Sequence, residues 1–151
     1  MGLFSYFSHG QQYRAALGIK GDWSSLDLAL AQLSVKHFFY GPNAFEYNVG
    51  FGRRYLWTQI TYHRNQTLRK DIDWYWGTGI DWGYWNSNYD RAYDSDERSG
   101  FWGGINGVLG LEYTFDFIPI NLAIDTGPTL RVVPNVKFGW MAGFALRYGF
   151  R

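Results

Sequence analysis

Eight stretches of this chain alternate with a period of two, and the alternation sorts residue types in an uncommon way. The C-terminal stretch shows it most plainly. Trp140, Ala142, Phe144, Leu146, Tyr148 and Phe150 fall on one side, while Met141, Gly143, Ala145, Arg147 and Gly149 fall on the other. Successive side chains of a β-strand point to opposite faces, so such a stretch reads as a strand with one apolar face. The same reading places strands at 12–21, 26–39, 44–52, 55–63, 71–85, 101–115, 119–127 and 137–150. Aromatics at 21% of the residues, together with 19 glycines, agree with strands joined by tight turns.

Turn signals divide the strands. Gly41, Pro42 and Asn43 form one connection, residues 64–70 a second and residues 116–119 a third, whereas the polar stretch 86–100 is much longer. No linker or exact repeat interrupts the pattern, so residues 12–151 read as one barrel domain behind an N-terminal tail at 1–11. A chain of 151 residues is long enough to bury a core.

The two faces differ sharply. One collects Leu17, Ile19, Leu33, Val35, Tyr47, Ile60, Ile80, Ile105, Leu109, Leu111, Leu122 and Ile124. The other collects Arg14, Lys20, Lys36, Glu46, Asp73, Asp81, Glu112, Asp125 and Arg147, spaced by Gly and Ala. The second strand fits least well, with Leu28 and Leu30 on the polar face and His37 on the apolar one. A soluble barrel would turn the apolar face inward, whereas a transmembrane barrel turns it toward lipid. Small residues between the charges suit a cramped interior, and eight strands close a barrel that side chains just fill. Four cations oppose five anions on the polar face, which permits a paired internal network centred on Arg147 and Arg14 with Glu112 and Asp125.

Aromatic placement points the same way. Along the fifth strand, Trp74 and Trp76 stand about 26 Å from Trp82 and Tyr84, from a rise of about 3.3 Å per residue. Tilted, that separation approaches the ~25 Å apolar band of membrane barrels. The eighth strand repeats it with Phe138 and Trp140 at one end and Tyr148 and Phe150 at the other, so these residues read as two interfacial girdles. The fold class expected is therefore all-β: an eight-stranded antiparallel up-and-down transmembrane β-barrel with a polar, side-chain-filled interior.

Composition removes several function classes. A net charge of +1 provides no global field for nucleic acid, and the lack of cysteine excludes disulfides, thiolate metal sites and thiol nucleophiles. No run of 18 or more uncharged apolar residues supplies a membrane-spanning helix. The opening MGLFSYFSHGQQ carries no leader features, so an exported protein would be present here in mature or recombinant form.

The ending FALRYGF resembles the C-terminal signal of Gram-negative outer-membrane barrels. Phe144, Leu146, Tyr148 and Phe150 occupy its apolar and aromatic positions, and Arg151 follows the final Phe. The run GVLGLEYTFDFIPINLAIDTGP resembles the last hairpin of small outer-membrane barrels of the OmpA or OmpX kind. The resemblance implies residence in the bacterial outer membrane, with lipid and the barrel-assembly machinery as partners, and with other outer-membrane proteins as candidate ones. It implies periplasmic termini and an extracellular 86–100 connection.

Catalytic constellations are weak. Ser8 and His9 adjoin in the tail, Ser34 and His37 face opposite ways, and His63 is expected to approach Asp73 without a nucleophile beside it. Asp73 and Asp81 stand about 26 Å apart on one strand, too far for joint acid–base work. The 86–100 connection offers Asp90, Arg91, Asp94, Asp96, Glu97 and Arg98 as a partner surface, without the spacing of a calcium loop. The pattern implies no catalytic residue, cofactor or metal site. The leading class is a non-enzymatic outer-membrane barrel serving as scaffold, binding protein or subunit of an assembly. A lipid-modifying enzyme, of lipid A deacylase or acyltransferase type, and a soluble lipocalin-like barrel are the alternatives.

Overall fold

The structure, a computed structural model, describes residues 13–25, 30–51, 55–85 and 100–150. Strands β1 (Ala15–Ser24), β2 (Leu30–Tyr40), β3 (Asn43–Phe51), β4 (Tyr55–Arg69), β5 (Ile72–Trp85), β6 (Gly100–Thr114), β7 (Ile120–Val133) and β8 (Lys137–Phe150) follow one another. Each is antiparallel to the next, and β8 pairs with β1 from Phe150–Ala15 to Met141–Ser24, closing the barrel. Closure leaves no strand edge, as backbone in hydrocarbon requires.

The faces are inverted relative to a soluble barrel. Ile19, Leu33, Ile80, Ile105, Leu109, Ile124 and Phe144 are each at least half exposed, whereas Lys36, Glu46, Asn48 and Asn121 are fully buried. The barrel is thus of the transmembrane type, apolar outside and polar within. One end carries the short connections β2–β3, β4–β5 and β6–β7 together with Tyr13 and Phe150, and is called the turn end below. The β2–β3 turn depends on Gly41, whose φ of 52° is costly for a residue with a side chain.

Three boundaries depart from the sequence reading. β4 continues to Arg69, so residues 64–69 are wall and only Lys70 and Asp71 turn. This segment is polar apart from Leu68, which erases the alternation signal where the hairpin extends past the β2–β3 turn. β7 runs on to Val133 through Pro128, which lacks the N–H that a central strand normally needs. There the β6–β7 register passes from Leu109–Thr126 to Asn106–Thr129, so the ladder lapses where the proline faces Gly107. β1 begins at Ala15, and Arg14 is exposed rather than interior. The alternation fails there because Tyr13 turns inward ahead of the strand, leaving Arg14 at a bend between two buried positions, Tyr13 and Ala16. The proposed tail and residues 26–29 of the second predicted strand lie outside the described residues.

Candidate functional site

The interior is the chemically dense part of the molecule. Lys20 on β1, Lys36 on β2, Glu46 on β3, Asp73 and Asp81 on β5, Glu112 on β6, Asp125 on β7 and Arg147 on β8 are all buried. Alternation places them there, because each shares its strand's parity with small or amide residues that also face the lumen.

Two ion clusters meet across the lumen. In one, the Lys20 ammonium lies 3.0 Å from Glu46 Oε1, 2.9 Å from Asp125 Oδ2 and 3.7 Å from Asp22 Oδ1. Arg147 Nη2 reaches Glu46 Oε2 at 2.7 Å. In the other, Lys36 pairs with Glu112, which also accepts from the Tyr13 hydroxyl and from Asn121 Nδ2 at 2.8 Å. Asn121 joins the two, since its Oδ1 accepts from Arg147 Nη1 at 3.4 Å. Tyr75 lies between them: its hydroxyl donates to Asp125 Oδ2 at 2.8 Å, and Lys36 sits 4.5 Å over its ring. Room for that ring comes from Gly110, where a Cβ would fall 2.3 Å from Tyr75 Cζ.

The partners differ from those expected. Arg147 does not bond Glu112 or Asp125; it takes Glu46, with Ser34 Oγ accepting from its Nε at 3.0 Å. Those two acids are held by Lys36 and Lys20 instead. A long guanidinium side chain spans the narrow lumen to β3, so the neighbouring strand does not decide its partner. His63 does not meet Asp73. It lies 3.6 Å from Glu46 through Nδ1, stacked on Tyr75 with ring centroids 4.6 Å apart. Asp73 and Asp81 flank the clusters toward opposite ends of β5, where Asp81 stands across from Gln59 and Gly104.

Beyond the clusters, Trp57 and Trp102 stack at 6.4 Å in the half of the lumen away from the turn end, and the Arg131 guanidinium lies 4.4 Å over Trp102. At the turn end Tyr13 packs edge-on against Phe38 at 5.4 Å. Tyr13, Asp22, Trp57, Tyr75, Trp102 and Arg131 were missed by sequence reasoning, although parity alone marks most of them. Tyr75 falls in step with Asp73 and Asp81, and Asp22 with Lys20, while their aromatic neighbours disguised the signal.

Outside, Trp76, Tyr84, Phe138, Trp140, Tyr148 and Phe150 are exposed, and Trp74 and Trp82 are half-buried on the same outward parity. Trp140 Nε1 donates to Thr126 Oγ1 at 2.7 Å, which gives this interfacial indole a partner in the wall. At the turn end the exposed Lys70 and Asp116 pair at 2.8 Å, tying two connections together; this hydrogen bond holds the Lys70 ammonium above its ordinary range. Asp90, Arg91, Asp94, Asp96, Glu97 and Arg98 lie outside the described residues.

No protein-family model and no curated protein matches the sequence. Among solved structures, the chain is similar to the N-terminal β-barrel domain of Pseudomonas aeruginosa OprF, with a TM-score of 0.68 at 16% identity. The alignment covers 93% of this chain and all of that one, so the likeness is one of fold over nearly the whole barrel.

Proposed function

We propose that this chain is a non-enzymatic barrel of the bacterial outer membrane, a rigid scaffold that holds its long connections at the cell surface and conducts no solute. One observation carries the reading: buried ion pairs and stacked rings fill the lumen, while the outer face is apolar. Filling of this kind suits an eight-stranded barrel, whose interior side chains can occupy completely. Among the described residues, Asn121 and Tyr75 bridge the two clusters. Ser34 is engaged by Arg147, and His37 faces outward, so the two form no nucleophile–base pair. In this reading the turn end is periplasmic, and the connection 86–99 is extracellular, where its acids and arginines would meet a partner.

The test is reconstitution into a planar bilayer, with a protease-cleavable tag inserted near Asp94 for use on intact cells. Insertion without stable conductance, together with cleavage of the tag from outside, is the expected result. Steady single-channel currents would overturn the closed scaffold. Cleavage only after membrane disruption would reverse the orientation.

A further inference from the structure

Among the described strand residues, no carboxylate is exposed on the outer wall. Every described strand carboxylate is buried: Asp22, Glu46, Asp73, Asp81, Glu112 and Asp125. His37 on β2 and Arg64 on β4 are exposed at the turn end, and Arg14 is exposed where the chain enters β1; His37 lies directly opposite Ala15 and Arg64 directly opposite Asn43. At about 4.8 Å per strand, the sector from β1 to β4 spans roughly 14 Å of the circumference.

Local structure shapes this sector for a headgroup. Phe39 stacks on Phe45 at 5.0 Å, and Phe45 meets Tyr62 edge-on at 5.9 Å, so aromatic rings occupy the wall between His37 and Arg64. The Tyr62 hydroxyl is anchored on Asn43 Oδ1 at 2.5 Å. β3 begins at Asn43, and the Asn65 amide donates to Pro42 at 2.8 Å, whereas β4 runs on to Arg69. Arg64 therefore stands where the neighbouring wall gives out. An arginine's long stem can lie along apolar surface while its guanidinium reaches polar headgroups. Arginine presents a permanent charge and a planar fork of donors matched to phosphate oxygens.

We propose that this sector is a binding site for an anionic phospholipid, with Arg14 and Arg64 holding the phosphate headgroup, His37 adding a ring N–H donor, and the Phe39–Phe45–Tyr62 cluster bedding the interfacial part of the acyl chains. Charge complementarity selects the occupant: a wall with outward cations and only buried carboxylates attracts an anionic lipid over a zwitterionic one. The inference rests on the barrel being a membrane resident. The two fail separately, since a barrel that stays folded and soluble without detergent sinks the first reading, and an inserted barrel without headgroup preference sinks this one.

The test equilibrates detergent-solubilised protein with equimolar phosphatidylglycerol and phosphatidylcholine and reads bound lipids by native mass spectrometry. Wild type should retain phosphatidylglycerol preferentially. Each arginine near an anionic surface contributes roughly fivefold, so Arg14→Gln with Arg64→Gln should lower that preference by roughly thirtyfold. Lys137→Gln, at the opposite end, should leave it unchanged. Equal retention of the two lipids by wild type, a preference that survives the double variant, or an equal loss in Lys137→Gln would each overturn the proposal. A third arm offers lipid A, and displacement of phosphatidylglycerol by lipid A would also overturn it. Unchanged heat-modified gel mobility confirms that the variants are folded, and a second pair, Arg14→Lys with Arg64→Lys, should keep part of the preference.

Discussion

Removing Arg147 tests the interior network at its most connected point. The guanidinium lies 2.7 Å from Glu46 Oε2, and at an effective dielectric of about 20 that separation corresponds to a gross attraction of roughly 6 kcal/mol. Desolvating both ions cancels much of this, so the pair itself contributes little net stability. Loss of one partner is different. Arg147→Leu leaves the fully buried Glu46 carboxylate with Lys20 at 3.0 Å and Asn48 Nδ2 at 2.9 Å, and strips Ser34 and Asn121 of a donor. A stranded buried charge costs about 3–5 kcal/mol, and the surviving Lys20 contact places this case at the lower end. Equilibrium denaturant unfolding in detergent micelles measures the loss. Adding Glu46→Gln should recover part of it, with a coupling of about 1–3 kcal/mol, whereas Arg147→Leu with Asp125→Asn, linked through Lys20, should couple more weakly. A coupling to Asp125 as large as that to Glu46 would refute the assignment of partners. Full additivity in both cycles would show that Arg147 does not bear on an interior charge.

Ile80 is half exposed near the middle of β5, so Ile80→Arg should lower stability in lipid by about 2–4 kcal/mol, while Val136→Arg in the exposed β7–β8 connection should be nearly silent. Equal folding yields of the two variants in vesicles would show that Ile80 does not face lipid. At Gly110, an added methyl would sit 2.3 Å from Tyr75 Cζ and 2.7 Å from the Ile124 carbonyl oxygen, so Gly110→Ala should cost about 1–3 kcal/mol and displace the Tyr75 hydroxyl from Asp125. Gly21→Ala meets nothing within 4 Å and is the matched control; a loss in both would point to backbone flexibility rather than crowding.

Legibility of the fold tracked the contrast between faces. In β5, β6 and β8 one parity is mostly apolar and aromatic, and the other carries the charged and small residues with Tyr75, Trp102, Val108 and Met141 among them, so phase and length were both readable. The signal vanished where a wall leaves the membrane. Residues Arg64 to Arg69 hold a single apolar residue, Leu68, so neither parity reads as a lipid face, and the strand was read as a turn. Pro128 cut β7 short in the same way, since a missing N–H argues against a strand unless the facing ladder lapses, as it does beside Gly107. Of the interior site, membership was legible and pairing was not. Parity assigns Arg147 and Glu46 to the lumen, but which ions meet depends on side-chain reach across a closed, staggered barrel. That geometry is a property of closure, to which no single strand points.

The same network has a consequence for register. Lys20, Glu46, Asp125 and Arg147 come from β1, β3, β7 and β8, so their mutual contacts exist only when the first and last strands are paired in one alignment. Arg147 stands opposite Gly18 in that alignment. A slip of β8 by one residue would turn every side chain to the other face, moving Arg147 into lipid and Leu146 into the charged lumen. Lipid exposure of the arginine would cost up to about 2–4 kcal/mol, and the uncompensated Glu46 about 3–5 kcal/mol more. An apolar interior would fill the same space but would penalise the slip less, because a misplaced Leu is tolerated on either side of such a wall. A polar lumen that adds little net stability in the native alignment can therefore still select that alignment strongly. Register selection of this kind gives the interior charges a structural use.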